Sequence, residues 1–332
     1  MRLQHIPPIW AFYLPFKPPT LIYMFMQFLY EYFGDSMSEL LKSFMEDKRI
    51  LDRVKLEDYL SVYFDVRPAS FFTMIAELPN AREIGAKIDF ECKDDLALIM
   101  STRDIQLRGE LIIELRKKID ELFKKYVLDS DVFKAHEYWA KKLGLRMEMD
   151  KVRPSICEVY LFKDKSVGKR LKNLFYIRRE IRKAIYQMQN VSLPPSLLAY
   201  PEELSSKFVS ELGSILGYPE CCIKRYAEER ASGIYVEGRI SEQIKNLRKS
   251  GDKPNVFSFF SSSFIPHDPK CEKAAEIGMK LYEALRDNIP GVHQKYYAIL
   301  EENVNTAENF PEVIKSYRQS AESRLKDLLM HT

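Results

Sequence analysis

Residues 145–162 read LRMEMDKVRPSICEVYLF and contain the clearest strand pattern in the chain. Apolar and polar side chains alternate over residues 145–151 and again over residues 155–162, which is the period of a strand. The Arg153-Pro154 step between the two runs interrupts this pattern and predicts a hairpin connection. The sequence therefore predicts two neighbouring strands in the middle of the chain.

Two further strands are predicted upstream of this hairpin. Residues 86–92 read AKIDFEC, with Ile88 and Phe90 on one face, and residues 96–100 form a second apolar run. Residues 93–95 (KDD) supply a polar turn between the two runs. Together the four segments predict a small four-stranded sheet, mixed or antiparallel, that is covered by helices.

Amphipathic helices are predicted over most of the remaining chain. The pattern is clear near the start, where Leu40, Leu41, Phe44 and Met45 share one face at helical spacing. The predicted helical regions are 20–85, 105–127, 130–143, 163–189, 201–216, 219–231, 238–250, 269–287 and 291–329. The expected fold class is therefore α+β, predominantly helical, with a helical C-terminal domain.

Chain length and a proline-rich break predict the domain organisation. A chain of 332 residues is long for one hydrophobic core. Pro194-Pro195 marks a linker after the central region. We predict a helical N-terminal segment over residues 1–85, an α+β domain over 86–190 and a helical domain over 191–332.

Composition excludes several classes of protein. Hydrophobic residues make up 46% and charged residues 30%, so the chain is not of the disordered type, and only 12 glycines argue against a turn-rich β architecture. The net charge of +3 means that a basic surface must be local. Five unevenly spaced cysteines do not form a disulfide framework and favour a reducing compartment, the cytoplasm. The high Lys and Glu content is typical of a thermophile.

The first 33 residues are unusually apolar. Residues 6–33 read IPPIWAFYLPFKPPTLIYMFMQFLYEYF, and the unbroken apolar run that starts at Leu21 is too short for a membrane-spanning helix. A signal-peptide pattern is not present. Three interpretations stay open: a segment packed on the core, a segment that docks on a membrane surface or a partner, and a translation start at Met24, Met26 or Met37.

Two short stretches in the C-terminal third carry the most distinctive chemistry. Residues 217–226 read GYPECCIKRY and residues 264–274 read FIPHDPKCEKA. A proline in each stretch favours the first position of a helix, so each is expected to end a loop and begin a helix. Cys221, Cys222 and Cys271 are then expected in a first turn, where free backbone N–H groups stabilise a thiolate and lower its pKa.

Three thiolates and the imidazole of His267 match a tetrahedral Cys₃His site. His267 and Cys271 are four residues apart across a helix start, a reach compatible with one ion. Adjacent side chains diverge by about 100° on a helix, so Cys221 or Cys222 can instead belong to the core. Three interpretations stay open: a zinc or iron–sulfur site with Cys221, Cys222, His267 and Cys271 as ligands, a reactive thiol, and cysteines buried as small apolar residues.

The two stretches resemble a family of mostly archaeal proteins known as a domain of unknown function, with Gly-Tyr-Pro-x-Cys-Cys and Pro-His-x-Pro-x-Cys motifs. The resemblance covers about residues 195–290 and implies no established activity. It implies that many members have a further cysteine in the second motif, where this sequence has Lys270 and Glu272 around Cys271. The resemblance therefore gives His267 more weight as the fourth ligand.

Residues around the cysteines allow more than one interpretation. Lys224 and Arg225 either lower the pKa of the neighbouring thiols or are solvated helix residues. Tyr218 is a candidate to cover the site. Residues 261–263 (SSS) form either a phosphate-binding loop or an ordinary polar loop.

A basic helix is the second candidate functional region. Residues 151–190 contain 11 Lys and Arg against three Asp and Glu. Such a cluster fits contact with a phosphate backbone, and neighbouring aromatic residues can stack on unpaired bases. Helical spacing assigns Leu174, Phe175, Ile181 and Ile185 to the core, and an ordinary solvated face is the alternative. The candidate nucleic-acid-binding residues are Lys169, Arg170, Lys172, Arg178, Arg179, Arg182 and Lys183.

Motifs of common enzyme classes are absent from the sequence. It contains no ATP-binding P-loop, dinucleotide fingerprint or HExxH motif. These absences do not decide whether the protein is an enzyme of another class, and an enzymatic role stays open. The protein is expected to be intracellular and to bind a metal ion or an iron–sulfur cluster through the Cys/His residues. The alternatives are an RNA- or ribonucleoprotein-binding module that uses the basic helix 165–186, and a thiol redox protein.

Overall fold

The computed structural model describes residues 38–153, 155–187 and 200–316, with two single residues at 319 and 323. Residues 38–46 belong to one compact unit, and the residues from Asp47 onward belong to a second. Residues 38–46 are helical, as the spacing of their apolar side chains predicts. The apolar segment 6–33 and the predicted linker at residues 190–195 lie outside the described residues.

The unit that starts at Asp47 is mainly helical. A π-helical segment, Lys55–Leu60, lies between single α-helical turns at Asp52–Val54 and Ser61–Tyr63. The longer helices are α1 (Ala81–Ser101), α2 (Ile105–Phe123), α3 (Asp131–Lys142), α4 (Lys165–Gln187), α5 (Ser206–Ile215), α6 (Glu220–Ala231), α7 (Val236–Lys249), α8 (Glu272–Asn288) and α9 (Val292–Glu308). The helices predicted after residue 100 therefore match observed helices, with most ends shifted by a few residues. The exception is the helix predicted over residues 291–329: α9 ends at Glu308, residues 310–316 are helical again, and most of the remainder lies outside the described residues.

Three antiparallel strands form one sheet. The strands are β1 (Ala69–Met74), β2 (Arg146–Arg153) and β3 (Ile156–Phe162), in the order β1-β3-β2. The predicted hairpin corresponds to β2 and β3, which pair in antiparallel register. Residues 157–162 of the central strand β3 are buried. The expected class, α+β and mostly helical, is confirmed, whereas the sheet has three strands rather than four.

The two strands predicted upstream of the hairpin are wrong. Residues 86–92 and 96–100 both lie within α1. The buried residues of α1 are Ile84, Ile88 and Cys92, which are spaced by four and share one helical face. Phe90, expected beside Ile88, is instead 68% exposed.

The third strand lies in a region predicted to be helical. β1 falls within residues 20–85 and pairs with β3, so that Phe72 lies opposite Val159. This pairing joins the first and second predicted domains through one sheet, and the division at residues 85 and 190 stays a prediction. Helices α4 and α5 pack near this sheet through the buried side chains Tyr160, Phe162, Leu171, Leu174, Phe175, Phe208 and Ile215. Among the described helices, none has both the length and the apolarity needed to cross a bilayer.

Candidate metal centre

Two helix starts bring the four predicted ligands together. Pro219 is the N-cap residue of α6, so Cys221 and Cys222 lie in the first turn of that helix. Cys271 is the N-cap residue of α8, and His267 lies in the loop that leads to it. Gly217 adopts a φ of 71° in the turn before α6, a conformation that glycine takes without strain.

The side chains of these four residues face one another. The Sγ atom of Cys222 lies 3.3 Å from Nδ1 of His267 and 3.7 Å from Sγ of Cys271. The Sγ atoms of Cys221 and Cys271 are 3.9 Å apart, and all four donor atoms lie within 4.8 Å of one another. Both adjacent cysteines therefore point into the same group. The group has the composition Cys₃His and can hold a metal ion.

The surroundings of the group are apolar. Cys222 is 2% exposed and Cys271 is 5% exposed, and both pack with Phe260, Phe264 and Ala274. Burial raises the pKa of both thiols, although the backbone N–H of His267 lowers that of Cys222 and the backbone N–H of Ala274 lowers that of Cys271. The expected lowering of the pKa at a helix start is thus outweighed by burial at these two positions.

Arg239 on α7 holds the loop that contains His267. Its Nη1 donates to the carbonyl oxygen of His267 at 2.9 Å, and its Nη2 donates to that of Pro266 at 3.2 Å. Its Nε donates to Glu229 of α6 at 2.9 Å. Arg239 therefore connects the loop to the helix that carries Cys221. Sequence reasoning missed this residue, and no local pattern distinguishes it from other helical arginines.

Close packing holds the other end of the same loop. The Ser258 hydroxyl donates to the carbonyl oxygen of Cys271 at 2.9 Å, and the Asn255 N–H donates to that of Pro269 at 3.0 Å. A Cβ atom at Gly278 of α8 would overlap the carbonyl oxygen of Phe257. Glycine at position 278 thus allows α8 to approach residues 256–259 and keeps Cys271 in place.

The serine loop at residues 261–263 meets a carboxylate. The Ser262 N–H donates to Oε2 of Glu57 at 2.8 Å, and the side chain of Asn303 donates to Oε1 of Glu57 at 2.7 Å. Glu57 is fully buried, and burial raises its pKa. The Ser262 N–H already donates to a carboxylate and is not free to donate to a phosphate, so the polar-loop interpretation is favoured. The Tyr218 hydroxyl lies 3.2 Å from Oγ of Ser263.

The two charged residues that follow the cysteines lie at the surface, whereas Tyr218 packs beside the Cys₃His group. Lys224 is exposed, and Arg225 is paired with Glu229 at 2.6 Å. Tyr218 packs on Phe260 and Phe264 beside the Cys₃His group, as expected of a residue that covers the site.

The basic helix α4 has two unlike faces. Arg178 is 4% exposed and lies 2.7 Å from Asp150 and Glu158 and 3.1 Å from Glu202. Arg182 is largely buried and binds Glu202 through two hydrogen bonds. Burial therefore removes Arg178 from the set that can reach a nucleic acid. The exposed members of the predicted set are Lys169, Arg170, Lys172, Arg179 and Lys183.

Fold and site together define a mostly helical α+β protein with a Cys₃His group between two helix starts. Residues 149–289 match the model of a family described as protein of unknown function (DUF483). This match confirms the resemblance to a family of unknown function and extends it upstream into the sheet. It covers β3, helices α4 to α8 and all four donor residues.

One relative comes from an archaeon. A segment of 69 residues is 29% identical to the uncharacterized protein MJ1106 of Methanocaldococcus jannaschii. The segment makes up 20% of this chain and 36% of that protein. No solved structure matches the chain.

Proposed function

We propose that Cys221, Cys222, His267 and Cys271 bind one metal ion. The distances between the donor atoms carry this proposal. An ion with bonds of about 2.3 Å to sulfur in a tetrahedral arrangement has its sulfur ligands about 3.8 Å apart, and a nitrogen ligand is slightly closer. Three of the six donor pairs, with Sγ–Sγ distances of 3.7 and 3.9 Å and an Sγ–Nδ1 distance of 3.3 Å, are close to these values, and all pairs lie within 4.8 Å.

Zinc is the metal that the donor set favours. Three thiolates with one imidazole are typical of zinc sites, and soft sulfur ligands disfavour magnesium and calcium. In an iron–sulfur cluster the cysteines are spread over two or more iron atoms, so the sulfur atoms bound to different irons stand further apart than around one ion. All four donor atoms within 4.8 Å therefore favour a single ion over a cluster.

The proposed role of the ion is to fix the start of α6 against the start of α8. Four protein ligands are the composition of a structural zinc site, whereas a catalytic zinc keeps an open position. The chemistry that zinc supplies here is charge neutralisation of three thiolates and a fixed geometry. Cysteines kept as metal ligands in this way suit a reducing compartment such as the cytoplasm.

The experiment is elemental analysis with an ultraviolet–visible spectrum on protein purified without oxygen. We expect about one zinc per chain and no iron charge-transfer band. Cys271→Ala should lose the metal, whereas Cys92→Ala, a buried cysteine outside the group, should keep it. Metal-free protein with reactive thiols would overturn the proposal and favour the thiol redox alternative.

A second candidate function, RNA binding, rests on one exposed stripe of α4. Lys169, Lys172, Tyr176, Arg179 and Lys183 are exposed and spaced by three and four residues, so they share one face over about 21 Å of helix. Lys172 is paired with Glu148. Among the described residues, Lys169, Arg179 and Lys183 have no ion-pair partner. Such a stripe suits contact with successive phosphates of an RNA strand or a ribonucleoprotein.

A further inference from the structure

A cavity of about 320 Å³ lies between the sheet and helices α4, α5 and α6. This volume is within the range of small-molecule sites. One wall is Cys222, so the cavity adjoins the Cys₃His group, but most of its lining is apolar or aromatic. The apolar lining includes Phe71, Phe208, Val209, Leu212, Phe264 and Ile265.

The polar lining consists of hydroxyl-bearing side chains and four charged groups. Glu158, Arg178, Glu202 and Glu203 are the charged residues of the cavity wall. Arg178 and Glu158 are already paired, and Glu202 receives hydrogen bonds from Arg182. The charge of these three residues is therefore satisfied within the protein.

Glu203 differs from the other carboxylates of the wall. Its side chain is 26% exposed, and its one ion-pair partner among the described residues is Arg230, at 3.0 Å. Arg230 also binds Glu237 at 2.6 Å, so two carboxylates share one guanidinium. Burial raises the pKa of Glu203 to about 7; Arg230 and the Tyr226 hydroxyl lower it, while Glu237 and Glu202 raise it.

Carboxylates outnumber cations around this end of the cavity. The guanidinium groups are Arg178, Arg182 and Arg230, with Arg153 over the ring of Tyr200 at 5.2 Å. The carboxylates are Asp150, Glu158, Glu202, Glu203 and Glu237. An apolar cavity with excess negative charge at one end suits a ligand with an apolar body and a positive end.

We propose that this cavity binds a small aliphatic amine, with its carbon chain against Phe208, Leu212 and Phe264 and its ammonium group at Glu203. The ammonium would supply the cation that Glu203 and Glu237 otherwise share through Arg230. The proposal needs no metal as a ligand of the amine, because Glu203 lies outside the Cys₃His group, although Cys222 and Phe264 belong both to the cavity wall and to the surroundings of that group.

The test compares three probes of equal length by calorimetric titration of the full chain at pH 8. The probes are n-octylamine, n-octanol and octanoate, each below its aggregation concentration. We expect octylamine to bind about tenfold more tightly than octanol, since a charged hydrogen bond is added, and octanoate to bind most weakly. Octanoate binding as tightly as octylamine, or no binding of any probe, would overturn the proposal.

Two variants locate the binding. Glu203→Gln should weaken octylamine binding about tenfold and leave octanol unchanged. Glu211→Gln, which removes an exposed carboxylate of α5, is the matched control and should change nothing. Leu212→Trp should fill the cavity and abolish binding of all probes, so persistent binding would refute this location. If Glu203→Gln does not fold, the ranking of the three probes decides the question, and metal content measured on the same samples reports separately on the Cys₃His group.

Discussion

The Cys₃His group and the salt-bridge network of Arg178 are both buried polar clusters, but their charges are balanced in different ways. Arg178 contacts three carboxylates, from β2, β3 and the turn before α5, at 2.7 to 3.1 Å. Its cluster is held together by the charges of the chain alone. In the Cys₃His group three contacts between donor atoms measure 3.3 to 3.9 Å, and all four donor atoms lie within 4.8 Å of one another. Thiols make only weak hydrogen bonds at such distances.

The difference separates a cluster that supports the fold from one that can take a ligand. Opposite charges at short distance explain why Arg178 is buried. Three thiols and an imidazole gain little from one another, so their convergence fits a group that can hold a common ion. Each cluster therefore predicts a different response when one of its members is removed.

The largest expected effect is that of metal removal. A strong chelator should lower the free energy of unfolding of the metal-loaded protein by several kcal/mol, since structural zinc contributes about 10–16 kcal/mol in small zinc domains. Urea unfolding followed by circular dichroism, with and without chelator, measures this change. The unfolding free energy of Cys271→Ala should not change with the chelator. An equal change in this variant and in wild type would show that the Cys₃His group does not bind the metal.

Breaking the Arg178 network should have the next largest effect. Arg178→Met leaves Asp150, Glu158 and part of Glu202 without their cation, which should cost about 3–5 kcal/mol of unfolding free energy. Arg179→Met, at the next and exposed position, should stay within about 0.5 kcal/mol of wild type. Urea unfolding measures both, and the chelator response should persist in each variant. Similar losses at both positions would show that Arg178 has no special role.

Arg239 provides a smaller test of the Cys₃His group. Arg239→Met releases the carbonyl oxygens of His267 and Pro266 and should weaken metal affinity about 10- to 100-fold, the usual effect of losing an outer partner. Competition with a chromophoric chelator measures this affinity. Arg248→Met, which removes a half-exposed arginine from the same helix, should leave it unchanged. Unaltered metal affinity in Arg239→Met would mean that the loop does not need this anchor.

The smallest effect is expected on the exposed face of α4. Replacing Lys169, Arg179 and Lys183 by Gln should weaken binding of single-stranded RNA and reduce its salt dependence by roughly 0.7 per lost phosphate contact. Fluorescence anisotropy over a series of salt concentrations measures both quantities.

The control for this experiment is an equal loss of charge elsewhere. Gln at Lys117, Lys249 and Lys280, which are exposed on three other helices, should leave RNA binding unchanged. If neither set matters, or the protein does not bind RNA, the exposed stripe of α4 is an ordinary solvated face.

The sequence predicts the Cys₃His group better than the sheet, because helix starts are local features. Proline before each helix and the short spacing from His267 to Cys271 indicate the candidate ligands locally, whereas helical geometry leaves open whether both Cys221 and Cys222 face the group. Period two in AKIDFEC, by contrast, also occurs by chance on a helix, where Ile84, Ile88 and Cys92 form the buried face of α1. β1 could not be found locally, because its partner β3 lies more than 80 residues away.

The contacts of Arg178 and Arg239 also could not be predicted from the local sequence. Arg178 shares helical spacing with the buried Leu171, Leu174 and Phe175, and this was a signal that it faces the core. Its carboxylate partners come from three other elements, so their identity required the fold. Arg239 carried no signal at all, because it binds backbone oxygens, which every residue has.

Glu57 has a consequence for the order in which this protein assembles. Cys221 and Cys222 are separated from His267 and Cys271 by 45 to 50 residues, whereas Glu57 and Asn303 are 246 residues apart. Closing the longer loop costs about 1.4 kcal/mol more chain entropy. During synthesis the four donor residues also emerge before Asn303. The loop between Cys221 and Cys271 is therefore expected to close first. The contact between Glu57 and Asn303 is then expected to form against this folded region.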